Sequence, residues 1–143
     1  MNASVKGYNI IKKYEELRLE AYICPAGVPT IGWGHTRNVQ LGQKITKEKA
    51  EQLLMEDVSF AVADVNRLVK KTLTQSQFDA LVSFVFNIGA PQFSESTLLL
   101  VINRNPNDIG IKPQFQRWVY GKGKLLPGLI TRRQEEADLY LLK

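Results

Sequence analysis

Three side chains in the first thirty residues have types and spacing that could serve one reaction. Eight residues separate Glu15 from Cys24, and five separate Cys24 from Thr30. A carboxyl that keeps its proton can give it to a leaving group, while a thiol or hydroxyl can attack a bond or hold the water that does. Glu15 lies beside Tyr14 and Leu17, where a helical pattern runs into an alternating one. Burial of a carboxyl there favours its protonated form, and the negative end of a helix acts in the same direction. A free thiol titrates near ~8.5, so Cys24 is mostly protonated at neutral pH without help. Its role is then to position or activate water, with the Thr30 hydroxyl holding the same water. Taken singly, each residue has a plainer reading. Glu15 sits in a charge run with Lys12, Lys13, Glu16 and Arg18, such as coats solvated faces. Cys24 alone is a small packing residue, and Thr30 alone a strand residue. His35, the single histidine, is either a base or substrate contact, or a structural ring tying the segment to its neighbours. It also allows a second chemistry, a Cys24–His35 nucleophilic pair.

The elements that must position these residues follow from periodicity. Residues 3–14 read as a short helix with Ile10, Ile11 and Tyr14 inward. Leu17, Leu19, Ala21 and Ile23 alternate with polar partners, which predicts a half-buried strand. A turn at 24–27 and a return strand at 28–34 follow, with Pro29 marking an edge. A third short strand is expected at 38–41. From Thr46 the pattern is helical: Ala50, Leu53, Leu54, Val58, Ala61, Val62, Val65 and Leu68 recur at helical spacing. Thr74 and Gln77 form a capping-box pattern ahead of Phe78, Leu81, Val82, Val85 and Phe86, and Gly89 supplies the stop. Shorter helices are expected at 96–103 and 114–120. A last helix is expected to be capped by Thr131 with Gln134. The layout is α+β in one domain, residues 1–143. A β-rich lobe (14–45) is joined by a long helix to a mainly helical lobe (46–143), on which helix 3–14 packs. A cleft between the lobes is the natural binding site.

Composition narrows the partners. The chain has 143 residues, 44% hydrophobic and 23% charged, which excludes global disorder. Its net charge of +5 favours polyanionic partners. The basic residues are scattered, and no nucleic-acid motif is present, so nucleic-acid binding is not expected. One cysteine and one histidine rule out an internal disulfide and every two-His metal motif. The N-terminal stretch lacks the apolar core of a signal peptide, and no segment approaches the ~20 apolar residues of a membrane span. Synthesis in the cytoplasm without stable membrane insertion is the expectation.

The segment from Tyr14 to Thr36 strongly resembles the active-site segment of the phage-type lysozymes, glycoside hydrolase family 24. The resemblance rests on Glu15, Cys24 and Thr30 at the family spacing and on Thr30-Ile31-Gly32-Trp33-Gly34-His35-Thr36. It continues through residues 77–89 and 127–137, in the family's order. Two positions depart from the commonest pattern: Glu16 stands where the family usually has Gly, and Cys24 where it usually has Asp, though Cys is tolerated there. The resemblance implies a lysozyme-like fold and a muramidase. The enzyme would cut the β-1,4 bond between N-acetylmuramic acid and N-acetylglucosamine in peptidoglycan, with inversion and without metal or organic cofactor. It further implies a phage endolysin, monomeric, released to the periplasmic wall by a membrane pore, or holin. Glu15, Cys24 and Thr30 are then catalytic. His35 and Asn87 are candidate substrate contacts, although Asn87 is equally placed to cap its helix. Trp33 is either a sugar platform or hairpin packing, and Trp118 a core residue. Arg132 and Arg133 either pair with Glu15 or Glu16, or lie on the outer face of the last helix. Two other functions compete: an amidase or peptidase built on Cys24 and His35, and a non-catalytic wall-binding module.

Overall fold

The computed structural model describes residues 1–143. Helix α1 (Val5–Glu15) leads into an antiparallel hairpin of β1 (Arg18–Ile23) and β2 (Pro29–Gly32), with Tyr22 opposite Thr30. The long helix α2 (Lys47–Leu68) carries the chain away to α3 (Gln75–Ile88), α4 (Ala90–Ser94), α5 (Thr97–Arg104) and α6 (Ile111–Gln116). A second small hairpin, β3 (Tyr120–Gly121) and β4 (Lys124–Leu125), precedes the last helix α7 (Pro127–Tyr140). The fold is the expected mixture of one small β-hairpin region and a helical majority. No helix is long and apolar enough to cross a membrane.

Helix α3 is the centre of the core. It packs against α1, α2 and α7, and Phe78, Ala80, Leu81, Val82, Phe84 and Val85 are all buried. Phe84 meets Phe93, Phe115 and Trp118 edge-on at centroid distances of 6.1, 5.3 and 6.0 Å, the preferred aromatic geometry. Trp118 is thus a half-buried core residue. Both expected caps are present at the N-termini of the long helices. Thr46 accepts from the Lys49 N–H, and Thr74 and Gln77 form a complete capping box. Helix α1 is capped from outside: buried Asp79 of α3 accepts from the Ser4 backbone N–H at 2.9 Å and from its hydroxyl.

Several local expectations are corrected. β1 forms, but only Ala21 on it is buried, while Leu19 and Ile23 are exposed. A two-stranded hairpin offers no second layer to cover that face. The third strand is not at 38–41. Asn38 and Gly42 take positive φ, so the chain turns first and pairs with β1 later, through Ala21 N–H to Gln43 O and Ile45 N–H to Leu19 O, both 2.9 Å. Helix α6 ends at Gln116, because residues 120–125 fold back as β3–β4 around Lys122 and Gly123, both at positive φ. Helix α7 begins at Pro127 rather than after Thr131. Proline's fixed φ suits the first helical turn, and the Thr131 hydroxyl bonds back to Pro127 O from inside the helix.

Candidate active site

Glu15 is the last residue of α1, and the chain turns immediately after it: Glu16 has φ 52° and ψ 139°. That left-handed value favours glycine, and Glu16 adopts it nonetheless. The Glu15 side chain is 21% exposed. Its Oε2 accepts a hydrogen bond from Arg132 Nη1 at 2.6 Å, so the neighbour that burial brings is a guanidinium from α7. Of the two readings weighed for Arg132, pairing with Glu15 is the one the structure shows. Oε1 lies against Gly34. A Cβ on Gly34 would sit 2.7 Å from that oxygen, and Gly34 has φ +74°. The glycine is required twice, by its backbone and by the carboxylate beside it.

The hairpin brings Cys24 and Thr30 together. Cys24 N–H donates to Val28 O at 3.0 Å, and with Tyr22 opposite Thr30, Cys24 and Thr30 are diagonal neighbours on one face. Thr30 is buried and Cys24 half-buried. The Thr30 hydroxyl beside the sulfur, followed by the Val28 backbone, holds the Cys24 thiol below the ordinary thiol range. The hydroxyl's own proton is already given to Val28 O at 2.9 Å. The hydrogen bond to Val28 is well formed, and a single proton cannot serve both acceptors fully.

His35 is buried with both ring nitrogens engaged, Nδ1 with Asp57 Oδ2 at 2.7 Å and Nε2 with Arg37 O at 2.9 Å. Asp57 lies on α2, so the ring ties the loop after β2 to the long helix. Neither nitrogen is left for a sugar or for Cys24. The arrangement supports the structural reading of His35 over the substrate-contact and Cys24–His35 readings. Trp33 is buried within the core with Lys12 Nζ 4.7 Å from its ring centre, and is packing rather than a platform. Asn87 is exposed at the end of α3, with Oδ1 accepting from Arg133 Nη2. A groove of about 330 Å³ runs from Gly34, Thr36 and Arg37, over Asp57, Phe60 and Asp64 of α2, to Phe86, Gly89 and Ala90. It therefore joins the hairpin region to the helices at the point where Gly34 meets Glu15. Phe60, exposed under the Arg37 guanidinium at 4.2 Å, went unnoticed in the sequence. On α2 it reads only as a break in an otherwise polar outer face.

The phage lysozyme family model matches residues 12–136. The endolysin of Acyrthosiphon pisum secondary endosymbiont phage 1 is 47% identical over 98% of both chains. The endolysin of Bacillus phage B103 is 44% identical over 99% of this chain, which spans 54% of that relative's length. Among solved structures, the muramidase domain of SpmX from Asticaccaulis excentricus superposes with a TM-score of 0.91 at 38% identity, covering 99% of each chain. The chain belongs to the phage lysozyme family and is a glycoside hydrolase of the lysozyme type.

Proposed function

We propose that this protein is an endolysin that hydrolyses the β-1,4 bond between N-acetylmuramic acid and N-acetylglucosamine in bacterial peptidoglycan, with Glu15 as general acid. The observation that carries the reading is the setting of Glu15. One oxygen is fixed by Arg132 at 2.6 Å, and the other lies against a glycine at the end of the groove. Oε2 is occupied, so Oε1 is the oxygen that carries the proton to the leaving group. Cys24 stands where the family usually has Asp, and it acts with Thr30 on the attacking water. The Thr30 proton is committed to Val28 O, which leaves its oxygen as an acceptor. A water donating to Thr30 and to the Cys24 sulfur turns a lone pair outward. As this water bonds the anomeric carbon from the face opposite the leaving group, it gives one proton to the Cys24 thiolate while Glu15 protonates the departing oxygen, and the carbon inverts. The Asn87 carbonyl is held by Arg133, so its amide N–H groups are the donors available to an N-acetyl oxygen.

The remaining parts of the reading concern where the enzyme works. It is a single domain acting as a monomer on the periplasmic wall, released from the cytoplasm by a phage-encoded pore, without inserting in the membrane. The net charge of +5 suits the anionic wall and membrane surfaces there. The deciding experiment is digestion of purified peptidoglycan with analysis of the products. New reducing ends of inverted configuration, absent with Glu15→Gln, are expected. New free amines instead would point to an amidase, and retained configuration in the first product would make Cys24 a nucleophile.

A further inference from the structure

Glu136 on α7 has no exposed surface. A buried carboxylate is costly unless every oxygen is engaged, and here both are. Oε2 accepts from Ser83 Oγ at 2.6 Å and from Arg132 Nε at 3.2 Å, while Oε1 accepts from Arg133 Nη1. The spacing i,i+4 to Arg132 and i,i+3 to Arg133 puts all three on one face of α7. Each arginine continues outward to a different residue of the proposed site. Arg132 Nη1 donates to Glu15 Oε2, and Arg133 Nη2 to Asn87 Oδ1. Arg132 is further pinned by Nη2 to Ser83 O at 3.1 Å.

We propose that Glu136 is a positioning residue for the whole site, setting Glu15 through Arg132 and Asn87 through Arg133. The inference rests on the reading of Glu15 as the acid and Asn87 as a substrate donor. Charge balance alone does not explain the arrangement. Two adjacent buried guanidiniums need a counter-charge, but they do not need its two oxygens divided between them so that one outer nitrogen ends on Glu15 and the other on Asn87. Burial pushes Glu136 towards its neutral form against the pull of the two arginines, and it pushes Arg133 down to about 10. One carboxylate thus links the acid on α1 to the donor on α3.

The test uses Glu136→Asp, which keeps the charge and withdraws the oxygens by one methylene, and Ser83→Ala, which frees only the Oε2 side. On soluble glycan strands, Glu136→Asp is expected to lower kcat by ~10–100-fold and to raise KM several-fold, because misplacement of reacting groups by ~1 Å costs about that much. Ser83→Ala should lower kcat by roughly 2–5-fold at unchanged KM, since only the acid's arm is loosened. On a nitrophenyl glycoside of the same sugars, whose leaving group departs without a proton, the kcat losses of both variants should largely vanish. A merely structural role would reduce folded enzyme and both substrates' rates alike. Folded Glu136→Asp with wild-type constants, or equal losses on the two substrates, overturns the proposal. If Glu136→Asp does not fold, Ser83→Ala decides by the same comparison. Glu15→Gln run alongside separates the two readings. If it retains activity on glycan strands, the acid assignment falls and takes this inference with it. If it is inactive while Glu136→Asp is unaffected, only the positioning role falls.

Discussion

Gly34→Ala probes the acid without touching it. At φ +74° an alanine carries the left-handed backbone cost of ~1–2 kcal/mol. The new Cβ also lies 2.7 Å from Glu15 Oε1 and 3.4 Å from its carboxyl carbon. The oxygen must withdraw by roughly half an ångström or more to reach ordinary contact. It cannot do so freely, because Arg132, 2% exposed, holds the other oxygen at 2.6 Å. The carboxylate therefore rotates or drags the arginine with it. A displacement of that size is expected to slow hydrolysis by ~10–100-fold, about 1.4–2.7 kcal/mol in the barrier. Gly42→Ala is the matched control: its φ is +90°, yet nothing lies within 4 Å of the added carbon. Both variants should lose similar stability in thermal unfolding, and only Gly34→Ala should lose rate in a reducing-end assay. Full activity in folded Gly34→Ala, or an equal rate loss in Gly42→Ala, would refute the reasoning.

Three further outcomes follow from the same geometry. Glu16→Gly should raise stability by about 0.5–1 kcal/mol, since relief of left-handed strain exceeds the added chain entropy; a lower melting temperature would contradict the strain at φ 52°. His35→Gln should cost about 2–3 kcal/mol through loss of the bonds to Asp57 and Arg37, a drop of roughly 5–10 °C, while the folded fraction keeps its rate; a folded, inactive variant would return His35 to the chemistry. Cys24 alkylation should reach half its maximal rate at a lower pH than a free thiol does at ~8.5, because the thiolate is the reacting form and the polar groups around the sulfur, Thr30 and the Val28 backbone, together favour it; a midpoint at or above the free-thiol value would contradict that setting.

What was legible in the sequence was local. The caps at Thr46 and Thr74, the period of α2 and α3, and the hairpin at 18–32 are all written within a few residues of where they act. Cys24 and Thr30 are read together for the same reason, since a short hairpin brings near neighbours in sequence face to face. The misses have other causes. Leu19 and Ile23 alternate correctly but have nothing to pack on, and alternation does not report whether a second layer exists. The Thr131–Gln134 pattern gives way to Pro127, which starts the helix a turn earlier. The partner of Glu15 lies 117 residues away, and the partners of His35 are on another helix or held by the backbone. For Arg132 and Arg133 the sequence leaves two readings open, pairing with Glu15 or Glu16 or an outer-face position, because nothing local says which side of α7 turns inward.

The backbone on both sides of Glu15 is held in the left-handed region, by Glu16 at φ 52° on its own chain and by Gly34 at φ +74° across from it. The two serve different ends. Glu16 stops α1 abruptly, so that the carboxylate is carried on the last residue of a helix anchored at its other end by Asp79. Gly34 lets the loop after β2 approach until only backbone separates it from the acid. Strain of this kind persists where surrounding contacts over-determine it, and here the contacts are identifiable: Asp57 holds His35, next to Gly34, while Arg132 holds Glu15, next to Glu16. The helix end and the loop are thereby fixed independently, each by one charged partner from a different helix. Glycine is indispensable only at 34, where a side chain would strike the carboxylate. At 16 it would merely relieve the backbone, which is how the chain can carry Glu there and still place its acid.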